Sequence, residues 1–223
     1  MSIFAAVPPL EPELERARAA LFMDLRQRLG NGVVLDAMET VRRDLMVPDE
    51  YRDRSYDDTS LPIERRQTIS QPRIVAEMTS ALRLSPSDIV LDVGTGSGYQ
   101  AAIASLLADS VVSVELVPEI ADRAACRLQW LGYHNVKVHR VDRASDILGR
   151  PQESPYDGIV VAAAAPSIPD SLVSQLREFG RMVIPVGGRD HQALTCVTRT
   201  PHGLEIQDLG PCQFVPLLGH EAW

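Results

Sequence analysis

Three glycines, Gly94, Gly96 and Gly98, alternate in the stretch DVGTGSGYQ, directly after the apolar run IVL. A glycine loop between a strand and a helix brings backbone N–H groups against an anionic or nucleotide ligand. A P-loop is ruled out, because Tyr99 and Gln100 follow the last glycine where Lys and Ser or Thr are required. A dinucleotide loop fits poorly, because its third glycine falls on Tyr99. The pattern is G-x-G-x-G, with Glu115 closing the next strand-like run, SVVSVEL. A carboxylate there can accept hydrogen bonds from both ribose hydroxyls of a nucleoside. A loop that need not hold a pyrophosphate can wrap the amino-acid end of S-adenosylmethionine. Gly94, Thr95, Gly96, Ser97, Gly98 and Glu115 therefore form a candidate site for that methyl donor. The plainer alternative is a tight strand-to-helix turn with no ligand. Asp142, in VHRVDRASD, follows the third strand and is placed to accept a hydrogen bond from the adenine amine. Its neighbours Arg140 and Arg143 offer it ion pairing instead.

The elements that must position these residues alternate from Ser87 onward. DIVLDV reads as a strand, YQAAIASLLA as a helix, SVVSVEL as a strand and PEIADRAACRLQWLG as a helix with Pro118 in its first turn. NVKVHRV and YDGIVVAAA read as strands, PDSLVSQLREFG as a helix and RMVIPV as a strand. This rhythm predicts an α/β fold with a parallel sheet covered by helices on both faces. QALTCVTRT, LEIQDLG and CQFVPLLG are strand-like and predict an antiparallel finish at one sheet edge. Upstream, the first twelve residues are Pro-rich and expected to be poorly ordered. Helices are predicted from Glu13 to Leu29, over VVLDAMETVRRDL, and from Pro72 to Leu84. The 25 residues from Met46 to Ser70 show no period, which suits a functional loop. The chain thus divides into a helical and substrate-loop segment, residues 1–86, packed on a methyltransferase-like core, residues 87–223.

A chain of 223 residues, 45% apolar and 23% charged, is an ordinary globular composition with enough length for a sizeable core. A net charge of -8 argues against nucleic acid or anionic lipid as partner. Cys126, Cys196 and Cys212 are odd in number and scattered, as expected of free thiols in a reducing compartment. Neither they nor His134, His139, His191, His202 and His220 stand at metal-ligand spacing, so no metal is expected. The start of the chain shows no signal-peptide pattern, and no window approaches the ~18 apolar residues of a membrane span. A cytoplasmic monomer, with no membrane or nucleic-acid partner, is expected.

From about Leu45 to Leu217 the chain resembles the protein-L-isoaspartate O-methyltransferase family. The resemblance lies in LMVPDEYRDRSYDDTSLPI, QTISQPRIVAEM, VLDVGTGSGYQAAIAS, YDGIVVAAAAPSIPDSLVSQL, GRMVIPVGG and FVPLLG. The glycine loop is shared by many methyltransferases, whereas QTISQP and FVPL are specific. The resemblance implies a Rossmann-like α/β methyltransferase fold, a seven-stranded, mostly parallel sheet with a helical N-terminal part, with S-adenosylmethionine as donor, S-adenosylhomocysteine as product, and peptides or proteins carrying isoaspartyl residues as acceptor. It implies that Ser70 stands at the active site, its hydroxyl donating to the acceptor carboxylate, with Thr68, Ile69 and Gln71 on the same wall. Read from the residues alone, Ser70 is a helix N-cap ahead of Pro72. Val215, in FVPL, matches a segment beside the peptide cleft, where an extended substrate would pair with a strand edge. A plain edge strand is the alternative. Gln192 matches a position near the donor, and by itself is an ordinary strand-start residue. A carboxylate acceptor is ionised at neutral pH, with a reference pKa of ~4, so methyl transfer to it requires no general base.

Two segments depart from the family. Val141-Asp142-Arg143 replaces its Gly-Asp-Gly, and Glu64-Arg65-Arg66 replaces glycines ahead of QTIS. Two arginines there would favour an anionic acceptor and stiffen the loop. The rival readings are a diverged carboxyl methyltransferase for one dedicated peptide or small acid, and a non-catalytic relative that binds the donor weakly.

Overall fold

The computed structural model describes residues 6–142, 147–219 and 221–222. A small hairpin, β1 (Leu61–Pro62) against β2 (Thr68–Ile69), stands apart from one larger sheet. That sheet consists of β3 (Ile89–Val93), β4 (Ser110–Glu115), β5 (Val136–Arg140), β6 (Tyr156–Val161), β7 (Leu176–Gly187), β8 (Gln192–Thr200) and β9 (Gly203–Cys212). Its order is β5-β4-β3-β6-β7-β8-β9, with β3 to β7 parallel and β8 and β9 antiparallel. The central strands are apolar at nearly every position because helices cover both faces. Val90 and Val111 face one side; Leu91, Val112, Ile159 and Met182 face the other.

Among the described residues six helices surround the sheet: α1 (Pro12–Leu29), α2 (Val33–Thr40), α3 (Pro72–Leu82), α4 (Tyr99–Ser105), α5 (Pro118–Trp130) and the short α6 (Asp170–Val173). Leu25, Met38, Val41 and Ile63 pack in one cluster with Ala101, Ile103, Val111 and Leu128. The N-terminal segment therefore shares a hydrophobic core with the sheet. Residues 8–11 are tied down rather than loose: Arg42 donates to the Pro8 carbonyl at 2.8 Å, Arg52 pairs with Glu11 at 3.0 Å, and Leu10 packs on the core. Residues 1–5 lie outside the described residues.

Three elements differ from the sequence expectation. The second helix ends at Thr40 rather than Leu45, because Val41 turns extended and is buried, and a 3-10 turn over Arg43–Leu45 follows. The helix expected over 169–180 stops at Val173, and β7 begins at Leu176. Buried Gln175 enforces this break. Its amide donates to the Leu148 and Ser171 carbonyls at 2.7 and 2.6 Å and accepts from Arg150 N at 2.8 Å, while its own carbonyl accepts from Tyr156 N at 2.8 Å. The segment 213–219 is not a strand. It runs beside the chain after β6, where Ala164 N donates to Val215 O at 2.8 Å and Leu217 N to Ala164 O at 2.7 Å.

Candidate active site

Strand β3 is flanked by β4 on one side and by β6 on the other, so the direction of winding reverses at β3. Such a reversal leaves a crevice at the carboxyl ends of the strands. A cavity of about 600 Å³ opens there. Val93 and Gly94 at the end of β3, Val114 to Val117 at the end of β4, Val141 and Asp142 after β5, and Ala162 and Ala163 after β6 line one half. The other half is lined by Ser60, Thr68, Ser70, Gln71 and Arg73, and by the arm 211–219.

The first half is built on the glycine loop. Gly94 and Gly96 adopt φ of 95° and 52°, a left-handed conformation that glycine enters without steric cost. Gly94 N and Thr95 N both donate to the Val114 carbonyl, at 2.9 and 3.2 Å, which locks the loop against β4. The Glu115 carboxylate accepts Gly96 N on Oε2 and Val117 N on Oε1, each at 2.9 Å. A carboxylate has about four acceptor positions, so roughly two remain for a ligand. Apolar Leu116, Val117, Val141 and Leu148 share this wall with Glu115 and Asp142. An apolar slot edged by carboxylates fits an adenosine, and its acidic character fits the cationic remainder of S-adenosylmethionine.

Behind the loop runs a buried polar chain. Thr95 Oγ1 meets Ser113 Oγ at 2.6 Å, and Ser113 Oγ donates to Asp92 Oδ2 at 2.6 Å. The other Asp92 oxygen is buried without a partner among the described residues. Burial pushes the Asp92 carboxyl up to about 7; the Ser113 hydrogen bond opposes the shift and the Glu115 charge adds to it.

In the second half, Ser70 lines the cavity, and its hydroxyl makes no hydrogen bond among the described residues. It is not the helix cap. Gln71 holds that position in α3 without a side-chain cap bond, and Asp58 serves from a distance. Asp58 Oδ1 accepts from Arg73 N at 2.9 Å, and Asp58 Oδ2 accepts from the Gln71 amide at 3.1 Å. The Ser70 carbonyl accepts from Arg43 at 3.0 Å. Asp58 and Arg43 were invisible as site residues in the sequence, because each acts on a segment more than ten positions away.

The candidate residues divide cleanly. Thr68, Ser70, Gln71, Gly94, Gly96, Glu115, Asp142 and Val215 line the one cavity. Ile69 does not: its side chain points into the core. Thr95 and Ser97 are buried behind the loop, where Ser97 Oγ accepts Tyr99 N at 3.2 Å. Gly98 meets Leu128 on α5, which a Cβ would approach to 3.2 Å. Gln192 is turned away from the donor half. Its amide accepts Phe214 N at 2.7 Å and donates to Phe214 O at 3.2 Å, fixing the arm that carries Val215. Val215 therefore stands on a clasped arm, not a free strand edge. Arg140 pairs with Asp122 on α5. Arg143 lies outside the described residues. Arg65 and Arg66 both stand at left-handed φ, 57° and 60°. Arg65 pairs with Glu119 at 2.7 Å and Glu64 with Arg123, which fastens this segment to α5. Among the described residues no three His, Cys, Asp or Glu side chains are grouped to hold a metal.

Comparison with known proteins agrees with this geometry. The sequence model of the protein-L-isoaspartate(D-aspartate) O-methyltransferase family matches residues 16–222. Protein-L-isoaspartate O-methyltransferase 2 of Nitrosococcus oceani is 47% identical over 191 residues, covering 85% of this chain and 86% of that protein. A solved protein-L-isoaspartate O-methyltransferase superposes with a TM-score of 0.80 at 27% identity, covering 92% of this chain and 67% of that one. A Plasmodium falciparum protein solved in complex with S-adenosyl-L-homocysteine shares the fold, with a TM-score of 0.76 at 24% identity over 91% of this chain and 98% of that one.

Proposed function

This chain belongs to the protein-L-isoaspartate(D-aspartate) O-methyltransferase family, and we propose that it methylates the free carboxylate of isoaspartyl residues in peptides and proteins. The observation that carries this reading is the single cavity shared by the Glu115 half and the Ser70 half. S-adenosylmethionine, when bound, supplies a methyl group on a cationic sulfur, which passes to the acceptor oxygen as the carbon–sulfur bond breaks and its electron pair stays on sulfur.

The chain's own residues hold and orient. Glu115 accepts from the ribose hydroxyls with the positions that Gly96 and Val117 leave open, and Asp142 meets the adenine edge. The loop backbone at Gly94 and Gly96 follows the amino-acid end. Ser70 donates its unengaged hydroxyl to one oxygen of the acceptor carboxylate, leaving the other to face the methyl group. Thr68 and Gln71 extend that wall, and Val215 flanks the peptide from the clasped arm. No group has to remove a proton, because the acceptor is already ionised. Rate enhancement then rests on alignment and on excluding water between two charged reactants. We further place the enzyme as a monomer in the cytoplasm, with its three cysteines as free thiols.

The test is turnover of an isoaspartyl peptide with S-adenosylmethionine to methyl ester and S-adenosylhomocysteine, in the wild type and in Ser70→Ala. Wild-type turnover with at least a tenfold loss in Ser70→Ala, about the worth of one hydrogen bond to a charged group, supports the reading. No turnover on that peptide, with turnover on another acid, overturns it.

A further inference from the structure

We propose that Arg43 is a positioning residue that fixes Ser70 relative to the donor loop. The inference rests on the acceptor role of Ser70 argued above. Arg43 is fully buried, and among the described residues no carboxylate hydrogen-bonds to it. Instead its guanidinium donates to three backbone carbonyls. Nη1 reaches Ser55, and Nη2 bridges Thr59 at 3.2 Å and Ser70 at 3.0 Å. Thr59 and Ser70 are the two ends of the segment that contains the β1–β2 hairpin, so one nitrogen ties off the base of that hairpin. The cation also lies 5.5 Å from the ring centroid of Tyr99, the residue that opens α4 directly after Gly98. A single side chain thus touches the residue proposed to hold the acceptor and the first turn beyond the donor loop.

A buried cation is a costly way to fill space, and apolar residues of similar volume serve stability equally well or better. A planar fork, by contrast, fixes several acceptors in one geometry, which neither Lys nor an apolar residue can do. The arrangement at Arg43 therefore points to placement of a backbone rather than to stability alone. Its Nε is buried without a partner among the described residues, a further cost carried at this point.

The experiment compares Arg43→Lys and Arg43→Met with the wild type in peptide KM, kcat and S-adenosylhomocysteine Kd by calorimetry. Each variant is also made on Ser70→Ala. Loss of stability alone would lower kcat in proportion to the active fraction and leave KM unchanged. Positioning predicts a peptide KM raised about tenfold in both variants, with the S-adenosylhomocysteine Kd within about twofold. In the Ser70→Ala background the same substitutions cost less than about threefold, because residues acting through one another are not additive. Unchanged KM, additive losses, or failure of both variants to fold overturns the proposal. A wild type that ignores the peptide overturns the acceptor reading and this proposal together. An active wild type whose variants keep their KM overturns this proposal alone.

Discussion

Ser113 Oγ donates to Asp92 Oδ2 at 2.6 Å, while the second Asp92 oxygen is buried with no partner among the described residues. One hydrogen bond does not compensate for burying a charge, so the carboxyl is pushed up to about 7, from the usual carboxylate value of about 4. The unfolded chain gives up this proton near pH 4 and the folded chain only near pH 7. Between those values the folded state binds more protons, so this group makes stability fall as pH rises and level off above 7. Asp92→Asn removes that dependence. The stability of the variant relative to wild type should rise by up to roughly 4 kcal/mol between pH 4 and pH 7.5, read from urea midpoints. A difference that stays flat with pH would assign the carboxyl an ordinary pKa.

Glu115 has two tasks, bracing the loop through Gly96 and Val117 and facing the cavity. Glu115→Gln leaves one acceptor oxygen and sets an amide against an N–H. Hydrogen bonds to a charged acceptor are each worth about 1.5–3 kcal/mol. The S-adenosylhomocysteine Kd should therefore rise about 10- to 100-fold by calorimetry, with peptide KM within about twofold. An unchanged Kd would move the donor site away from β4.

What the sequence made legible was local. Gly94, Gly96 and Glu115 are separated by one helix, and the loop and the strand that position them carry their own patterns. The parallel order of the sheet followed from the same alternation. Gln175 was not legible, because its partners Leu148, Arg150 and Tyr156 lie 19 to 27 positions upstream and nothing in its own neighbourhood separates a helix interior from a strand entry. The same holds for Arg43 in VRRDL, which looks like a helix-surface charge and is the most deeply buried cation of the site. The FVPL segment has strand-like composition, but its backbone is claimed by Ala164 and by the Gln192 amide rather than by a sheet partner. Contacts that close over long sequence distances leave no periodic trace.

Gln192 matched a donor-side position, yet its two side-chain hydrogen bonds go to the Phe214 backbone. Gln192→Leu should loosen the arm that carries Val215. Two such bonds at about 1 kcal/mol each predict a peptide KM raised by up to about 30-fold, while the S-adenosylhomocysteine Kd stays constant. The opposite split, a weakened Kd with unchanged KM, would return Gln192 to the donor.

Arg65 and Arg66 stand side by side at left-handed φ, but only Arg65 has a partner, Glu119, among the described residues. A non-glycine residue in that conformation costs roughly 1–2 kcal/mol. Glycine relieves the strain but adds about 0.4–1 kcal/mol of unfolded-state entropy. Arg66→Gly should therefore stabilise by roughly 0.5–1 kcal/mol, a Tm rise of about 2 °C for a domain of this size. Arg65→Gly gains the same relief and loses an exposed ion pair worth about 0–1 kcal/mol, so its Tm should stay near that of the wild type. Thermal melts of the two variants separate the terms. A fall in Tm for Arg66→Gly would show that its side chain contributes packing that outweighs its backbone strain.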